Sequence, residues 1–282
     1  RDSSTSRGLG DVYKRQARQS GHIKYVGTLG DVRHFKIKGN KGFYAGLKGG
    51  PTAQQIASDP AFVRTRENMN EFGGSATTGR SFRTSIANLI RNNADSQVTG
   101  RITAVMKKIN LEDGSEARGQ RAILITAAPQ YLEGFEFNKF SSLNGVFNAP
   151  YTITSNVDRD ESTLAIAPFN PLDNMFIPAG ATHFRIINAI TVLSDFAYNP
   201  LTKTYEPKDN VNNGLTATAD SGYLPINAMT SAISVATTLP GSPTLSADVS
   251  VVNILAVEFY QEVNGNYYLF AQGNAMKVVK IF

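Results

Sequence analysis

The sequence contains no cysteine and no tryptophan among its 282 residues. Without a thiol, the chain cannot form a disulfide, use a thiolate as a nucleophile or bind zinc through sulfur. The absence of cysteine does not identify the redox compartment, because a chain of this length can bury a core without cross-links. The aromatic side chains are instead 16 Phe and 11 Tyr. Chemistry that depends on a thiol is therefore excluded.

Long apolar runs are also missing from the sequence. No stretch approaches the roughly 18 uninterrupted apolar residues that a membrane span needs, and the first thirty residues lack the apolar segment of a secretory signal. The sequence therefore predicts no membrane partner. The expected location is the cytoplasm or an assembled particle.

Charge is divided unevenly along the chain. Residues 17–121 carry 17 Lys/Arg and 8 Asp/Glu, whereas residues 122–282 carry 7 and 13. The formal net charge of +5 thus joins a basic first part to an acidic second part. Such a split indicates two units with different surfaces. We expect a basic domain over residues 17–121 and an acidic domain over residues 122–282.

The first sixteen residues, RDSSTSRGLGDVYKRQ, are rich in Ser, Arg and Gly and have no apolar period. The next residues, ARQSGHIKYVGTLGDV, read like a native start. We interpret residues 1–16 as a non-native leader and expect the native protein to begin at Ala17. We do not expect such a segment to form part of the fold.

Residues 22–48 show the alternation that is typical of short strands joined by glycine turns. In HFKIKGNKGFYAGLKGG, apolar and Lys residues alternate up to a turn at residues 39–42, and an apolar return strand begins at Phe43. This pattern predicts a β-hairpin. The glycines do not fit the phosphate-binding pattern G-x-x-x-x-G-K-[ST], so a phosphate loop is rejected.

Three amphipathic helices are predicted between residues 59 and 110. Asp59-Pro60 forms an N-cap followed by proline, and Gly73-Gly74 is expected to end the first helix. Apolar stripes at helical spacing then cover residues 82–90 and 98–109, the second after a cap signal at Asp95-Ser96. The predicted core of this segment consists of Phe62, Met69, Phe82, Ile86, Leu89, Ile102 and Ile109.

Basic side chains lie on or beside the predicted helix faces. Arginine can bind phosphate through two parallel hydrogen bonds, and a segment of net charge +9 attracts polyanions. However, Glu67 and Glu71 interleave with the arginines, and no known nucleic-acid motif is present. A solvated or domain-packing face is therefore the preferred interpretation. The candidate residues for polyanion contact are Arg64, Arg66, Arg80, Arg83, Arg91, Arg101, Lys107 and Lys108.

From about residue 122 the sequence consists of short β-branched and aromatic segments bounded by Pro, Gly, Asn or Asp. The Asn264-Gly265 pair between two such segments is a strong hairpin signal. Many short strands in about 160 residues predict an antiparallel β-sandwich of the immunoglobulin-like kind. The polar connection over residues 199–230 is expected to be a surface loop. The complete prediction is an α+β fold, with an N-terminal β-hairpin and three-helix segment followed by this C-terminal sandwich.

Residues 17–90 resemble the opening of an uncharacterised family of hypothetical proteins common in Bacteroidota genomes. The shared features are an ARQ start, a G-T-x-G turn, a K-x-x-x-G-[FY] hairpin and a DPAF-x-RTREN-x-x-EFG helix. The resemblance implies a hairpin, then helices, then an immunoglobulin-like sandwich, and it assigns no activity and no catalytic residues. It also implies that residues 1–16 are translated linker or adaptor sequence of the kind found in assembled metagenomic reads.

Candidate catalytic and metal-binding groups are few. The histidines are His22, His34 and His183, and no G-x-S-x-G elbow connects a serine to any of them. The acidic segment VDRDES, residues 157–162, lacks the glycine and the closing glutamate of a calcium loop and is better explained as a charged hairpin turn. We therefore predict no catalytic residue, no metal site and no cofactor, and we expect a protein that is not an enzyme.

Three functional hypotheses remain. The first is a structural or interaction protein that works by protein–protein contact, as a component of an assembled particle. Its partner is another protein, including a second copy of this chain joined through edge strands such as the C-terminal VVKIF. The second is a nucleic-acid-associated protein that uses the basic helices. The third is a carbohydrate-binding sandwich in which Tyr198, Tyr205 or Tyr223 stacks on sugars, although the absence of Trp argues against it.

Overall fold

The computed structural model describes residues 16–39, 41–47 and 50–282, and the chain divides into two compact units, Arg1–Val63 and Arg64–Phe282. Residues 1–15 lie outside the described residues, so the leader stays a prediction. Gln16, the last residue of the predicted leader, opens strand β1 (Gln16–Arg18) and pairs with Gly46.

The first unit contains a four-stranded antiparallel sheet in the order β1-β4-β3-β2. Its further strands are β2 (Gly27–Leu29), β3 (Val32–Lys36) and β4 (Phe43–Leu47). The β3–β4 pairing confirms the predicted hairpin. Helix α1 (Ala53–Ser58) follows, with a capping box between Thr52 and Gln55. The Asp59-Pro60 signal begins a short 3₁₀ helix, Pro60–Phe62, in which Asp59 accepts a hydrogen bond from the Ala61 N–H at 2.8 Å.

Three helices occupy the segment where three were predicted. They are α2 (Val63–Ser85), α3 (Ala87–Asn93) and α4 (Val98–Glu112). The prediction that Gly73-Gly74 ends the first helix is wrong, because α2 continues through both glycines. The packing around Gly74 leaves no room for a side chain, because a Cβ there would lie 2.4 Å from Cγ of the buried Tyr205 ring. This glycine therefore permits close approach and does not mark a helix end.

The two adjacent glycines of α2 provide a matched pair for mutation. We expect Gly74→Ala to lower the free energy of unfolding by about 1–3 kcal/mol, because the new methyl group would overlap the Tyr205 ring. Gly73→Ala should raise it by about 0.5–1 kcal/mol, because that position is exposed, has nothing within 4 Å of a Cβ, and gains helix propensity. Urea unfolding of both variants measures these changes, and a shift of the same sign for both would contradict the packing explanation.

Strands are the main regular elements in the remainder of the second unit. Its short helices are a 3₁₀ turn at Pro129–Tyr131, α5 (Leu143–Val146) and α6 (Pro171–Asn174). Its strands are β5 (Tyr151–Ser155), β6 (Glu161–Ile166), β7 (His183–Ser194), β8 (Phe196–Asn199), β9 (Thr204–Pro207), β10 (Thr216–Asp220), β11 (Leu224–Pro225), β12 (Ile233–Thr238), β13 (Val249–Val263), β14 (Asn266–Leu269) and β15 (Ala275–Ile281). The fold is thus α+β, as predicted.

Two long strands, β7 and β13, organise the second unit. They pair with each other along twelve residue pairs in a six-stranded antiparallel sheet that also contains β10, β11, β14 and β15. A separate three-stranded sheet has the order β12-β6-β5. Both faces of β7 and β13 are covered, which explains why their sequences are nearly continuous apolar runs.

Alternate residues of the long strands face two different layers. Ile187 and Ala189 of β7 share a core with α2, α3 and α4. Phe184 and Ile186 of the same strand share a second core with the three-stranded sheet. The layers are therefore helices, six-stranded sheet and three-stranded sheet. The domain boundary expected at residues 121/122 lies inside this single unit, and the compact units divide at Val63/Arg64.

Most of the predicted helical core is buried. Phe82, Ile86, Leu89, Ile102 and Ile109 belong to the core shared with the six-stranded sheet. Met69 does not, because its side chain is 58% exposed, and Phe62 is only partly buried. The stripe prediction is correct where the helices contact the sheet and wrong at the first two positions.

The predicted surface loop over residues 199–230 is partly wrong, because it contains strands β9, β10 and β11. The Asn264-Gly265 hairpin is confirmed between β13 and β14, and both turn residues have positive φ, as a type I′ turn requires.

The C-terminal strand closes a sheet edge within its own chain. β15 pairs with β13 on one side. On its other side, the Val278 N–H donates to the Phe135 carbonyl at 2.9 Å, and the Gly134 N–H donates to the Val278 carbonyl at 2.8 Å. At Val278, β15 is therefore paired on both sides within the chain. Strand addition to a neighbouring subunit through this segment stays a prediction.

Candidate functional site

The eight predicted polyanion-contact residues differ in exposure. Arg64, Arg80, Arg91 and Lys108 are exposed, whereas Arg66, Arg83, Arg101 and Lys107 are partly buried. Exposed members are free to meet a ligand, but buried cations in proteins generally need an internal partner. The partners of the buried members therefore decide what the set does.

Lys107 belongs to a buried ion cluster centred on Glu71. Its Nζ contacts one carboxylate oxygen of Glu71, while Arg121 Nε lies 3.0 Å from the other, which also accepts the Gly119 N–H at 2.8 Å. Burial opposes ionisation of Glu71, but the hydrogen bonds from Lys107 and Gly119 and the two cationic charges outweigh it and lower its pKa. Lys107 thus connects α4 to α2 and is not available to an external polyanion.

Arg101 is also committed to internal contacts. Its guanidinium contacts Asp95 at 2.6 Å and donates to the carbonyls of Glu136 at 2.5 Å and Phe137 at 2.7 Å. Arg64 forms an exposed pair with Glu67 at 3.5 Å on the same helix. Arg64, Arg101 and Lys107 thus have carboxylate partners inside the second unit, and polyanion contact by the eight residues stays a prediction.

A second buried carboxylate, Glu258, lies on the face of β13 toward the helices. Its oxygens accept hydrogen bonds from Tyr260 at 2.5 Å, Arg185 at 2.8 Å, Asn93 at 3.0 Å and Asn92 at 3.2 Å. Burial alone would raise the pKa of Glu258, but the hydrogen bonds from these side chains lower it. This arrangement stabilises the ionised carboxylate and joins α3 to the sheet.

An aromatic cluster lies beside this carboxylate. The Tyr223 ring stacks on Tyr267 with centroids 3.9 Å apart and planes 7° apart, and it meets the edge of Tyr260 at 4.8 Å. The Arg185 guanidinium lies 5.5 Å from the Tyr223 centroid. Tyr267 thus covers one face of the Tyr223 ring, while the residue remains 39% exposed, so stacking of Tyr223 on a sugar stays a prediction.

The other two tyrosines of the carbohydrate hypothesis are less suitable. Tyr205, expected to be exposed, is buried against Gly74 and donates to the Arg121 carbonyl at 2.9 Å. Burial and the nearby charge of Glu71 raise the pKa of Tyr205 to about 12. Tyr198 is partly buried beside it. This correction removes Tyr205 as a sugar-stacking residue, since its ring belongs to the core.

The histidines and the acidic turn have ordinary structural environments. His183 Nδ1 lies 3.0 Å from the Thr182 hydroxyl, His34 lies against the Tyr25 ring at 4.2 Å, and His22 is exposed. The VDRDES segment is the turn between β5 and β6, with Arg159 at φ 60°. In the part of the chain that the structure describes, no group of three His, Asp or Glu could hold a metal ion. No helix in that part is long and apolar enough to span a bilayer.

The N-terminal sheet offers a different candidate site, because each of its faces carries a row of accessible side chains. On one face, Leu29, Val32 and Leu47 lie side by side across β2, β3 and β4. We call this set the apolar row. The same face also carries Lys36, whose Nζ lies 4.4 Å from the Phe43 centroid. Leu29 and Leu47 are each 68% exposed, and every apolar side chain described within residues 16–63 is at least partly accessible.

The opposite face carries aromatic and basic side chains. Arg18, Tyr44 and Phe35 lie side by side across β1, β4 and β3. Arg33 lies on the same face, with its guanidinium carbon 5.8 Å from the Phe35 centroid. We call these four residues the aromatic row. Alternation in VRHFK and FYAGL is the sequence signal for both rows, but it does not show which strands are neighbours. For that reason, the hairpin could be predicted from the sequence, whereas the apolar row and the aromatic row could not.

No protein-family model matches the chain, and comparison with curated proteins and with solved structures found no similar protein.

Proposed function

We propose that this protein works by protein–protein contact through the apolar row of the N-terminal sheet, and that its partner is a second copy of the chain. The observation that carries the proposal is the exposure of Leu29 and Leu47 on a sheet in which no described apolar side chain is buried. A sheet needs a covered apolar face to be stable in water. Contact with another protein supplies that cover.

Charge supports a second copy as the partner. Residues 16–63 carry seven Lys/Arg and two Asp/Glu, whereas residues 122–282 carry seven and thirteen. Opposite charges on two parts of one chain favour a contact in which the basic unit of one copy meets the acidic region of the next. Contacts of this kind are heterologous and generate rings or filaments. The proposal therefore includes a role as a component of an assembled particle.

The buried charged groups support a role in contact without covalent chemistry. Glu71 and Glu258, two buried carboxylates, are each surrounded by cationic and hydrogen-bonding groups that connect helices to neighbouring structure. Such contacts stabilise the ionised form and leave these carboxylates poor proton acceptors at neutral pH. We therefore assign them to the scaffold and propose no enzymatic step.

The scaffold itself is proposed to be a sandwich of the immunoglobulin-like kind. Support comes from the second core, in which Leu164 of β6 and Val235 of β12 pack with Leu255 and Val257 of β13. The helices on the other face of the six-stranded sheet are an addition to such a sandwich.

The contact proposal is tested by the oligomeric state of the full chain. We expect light scattering to show concentration-dependent self-association that weakens as salt is added, because opposite charges contribute to the contact. The double variant Leu29→Asp/Leu47→Asp should be monomeric, since it places charge in the apolar row. Leu201→Asp is the matched control, because Leu201 is a 91% exposed leucine in the turn between β8 and β9.

Two results would contradict the proposal. One is a wild-type protein that remains monomeric at every concentration and salt tested. The other is equal loss of association in the double variant and in Leu201→Asp, which would show a nonspecific effect of added charge.

A further inference from the structure

The geometry points to a second binding surface: we propose that the aromatic row, on the face opposite the apolar row, binds single-stranded nucleic acid. Tyr44 and Phe35 are directly opposite each other on the two central strands of the sheet. Their ring centroids are 6.2 Å apart and their planes differ by 29°. Two neighbouring rings on a sheet surface can each stack on one of two successive bases.

Arginines flank the two rings. Arg18 lies opposite Tyr44 on β1, and Arg33 lies beside Phe35 on β3; both arginine side chains are exposed. Their positive charges can contact the phosphates of a strand whose bases stack on the rings between them. Arg18, Tyr44 and Phe35 thus form a line across the strands. Arg33 lies two residues from Phe35 along β3, so each ring has a cation beside it that can contact the phosphate of a stacked nucleotide.

Gly46 is the residue directly opposite Arg33 on β4, and it contributes no side chain to this face. Phe35 and Tyr44 are both partly accessible, as stacking requires.

The charge around the row favours a polyanion over a protein. The first unit has a formal excess of five positive charges over residues 16–63, and Lys38 and Lys41 are exposed in the connection between β3 and β4. Apolar groups that would favour a protein partner are concentrated on the other face, at Leu29 and Leu47. A duplex is a poorer ligand than a single strand because its bases are already stacked on each other.

This surface differs from the basic helices that the sequence suggested. Among those residues, Lys107 and Arg101 are held by internal carboxylates and carbonyls. In contrast, the contacts of Arg33 on the sheet are with an aromatic ring that is itself partly accessible. The inference therefore assigns nucleic-acid contact to the sheet and predicts no dependence on α4.

The test uses the full chain and fluorescence anisotropy with fluorescein-labelled single-stranded DNA and RNA oligonucleotides of mixed sequence. The same-length duplex is measured in parallel. We expect Tyr44→Ala to weaken single-strand binding by about 5- to 150-fold, the range that corresponds to loss of one stacked base. Tyr44→Phe should bind within about twofold of wild type, because it keeps the ring and loses only the hydroxyl group.

A second variant tests the cations without disturbing the rings. Arg18→Glu/Arg33→Glu replaces two exposed side chains and should lower the slope of log affinity against log salt by about 1.4, the value for two lost phosphate contacts with a single strand. Arg80→Glu/Lys108→Glu is the matched control, because it reverses two exposed charges on α2 and α4. In this control, the slope of log affinity against log salt should stay close to the wild-type value.

Four results would overturn the inference. They are absence of single-strand binding at low salt, equal affinity for duplex and single strand, equal binding of Tyr44→Ala and Tyr44→Phe, or a larger loss in the helix control than in the sheet variant. Competition by heparin that is equally effective against Tyr44→Ala and wild type would indicate a general polyanion surface and would also count against the inference.

The two proposals can be tested independently, because Leu29→Asp/Leu47→Asp changes only the opposite face. This double variant should lose self-association, and adding Tyr44→Ala to it should still weaken single-strand binding. Failure of either proposal can therefore be recognised separately.

Discussion

Ile102→Ala is expected to lower the free energy of unfolding of the whole second unit by about 2–5 kcal/mol. The Ile102 side chain is completely buried on α4 and belongs to the core formed by the helices and the six-stranded sheet. Replacing a fully buried isoleucine with alanine removes apolar contacts and leaves a cavity, and both effects destabilise the folded state. Because this core includes Ile254 of β13 and Met276 of β15, helices and strands should lose stability together.

The measurement is urea unfolding followed by two probes, far-ultraviolet circular dichroism and tyrosine fluorescence. A single transition that moves by the same amount with both probes would show that the helices and the six-stranded sheet unfold as one cooperative unit. Met69→Ala is the control, since Met69 lies on α2 but is exposed, and it should change the free energy by less than about 0.5 kcal/mol. Separate transitions for helices and strands would instead support the boundary that charge placed at residues 121/122.

Sequence periodicity predicted the helices better than the domain division. The stripe at residues 82–90 and 98–109 correctly identified Phe82, Ile102 and Ile109 as core positions, because a helix packed on a sheet buries one side. Net charge, by contrast, describes surfaces and does not show which apolar faces meet each other. The helices have their covering layer in strands far along the chain. The compact units divide at Val63/Arg64, and the boundary that charge places at residues 121/122 stays a prediction for the unfolding experiment.

The failure at Gly73-Gly74 has a specific physical reason. Two adjacent glycines are a common helix end, and local reasoning favours that interpretation. The residue that explains Gly74 is Tyr205, which lies 131 positions later in the sequence. Nothing in the local pattern could reveal that contact. The same limitation applies to Met69. Its position in the apolar pattern predicted burial, but its side chain is exposed in the structure.

The candidate sites show the same limit. Glu71 is interleaved with arginines in the sequence of its own helix, but in the structure its partners are Lys107 of α4 and Arg121. Local sequence therefore did not show which basic residues have internal partners. In the N-terminal unit, Arg18 and Tyr44 become neighbours only through the pairing of β1 with β4, which no turn signal in the sequence predicts. The alternation of side chains along each strand was visible in the sequence, whereas the side-by-side arrangement of residues from different strands was not.

The second large effect is expected at Glu258. This residue is completely buried on β13 and accepts hydrogen bonds from Arg185, Tyr260, Asn92 and Asn93. Glu258→Ala leaves the Arg185 guanidinium without its closest carboxylate and removes the acceptor that connects α3 to the sheet. We expect a loss of about 1–3 kcal/mol, because the Asn92 amide and the buried Tyr260 hydroxyl lose their acceptor. Arg185, in contrast, is 23% exposed and keeps Asp220 at 3.4 Å. Urea unfolding at neutral pH measures this loss.

The matched control for Glu258→Ala is Glu116→Ala, at an exposed glutamate that should change stability by less than about 0.5 kcal/mol. A double-mutant cycle with Arg185→Leu separates the pair from its surroundings. If the charge of Arg185 causes the loss of stability in Glu258→Ala, the double variant should be more stable than Glu258→Ala alone. Equal stability of the double and single variants would show that the asparagine and tyrosine contacts carry the effect.

The dependence on pH gives an independent test of the same carboxylate. The pKa of Glu258 in the folded protein lies below its ordinary value of 4.5. A group of this kind adds stability that is present above the unfolded pKa and is lost as the pH falls through the folded pKa. We therefore expect wild type to lose more stability than Glu258→Gln as the pH falls below about 4.5, so that the difference between the two proteins narrows. If that difference stays constant down to the lowest pH at which both remain folded, Glu258 is not the ionised acceptor that its four hydrogen bonds require.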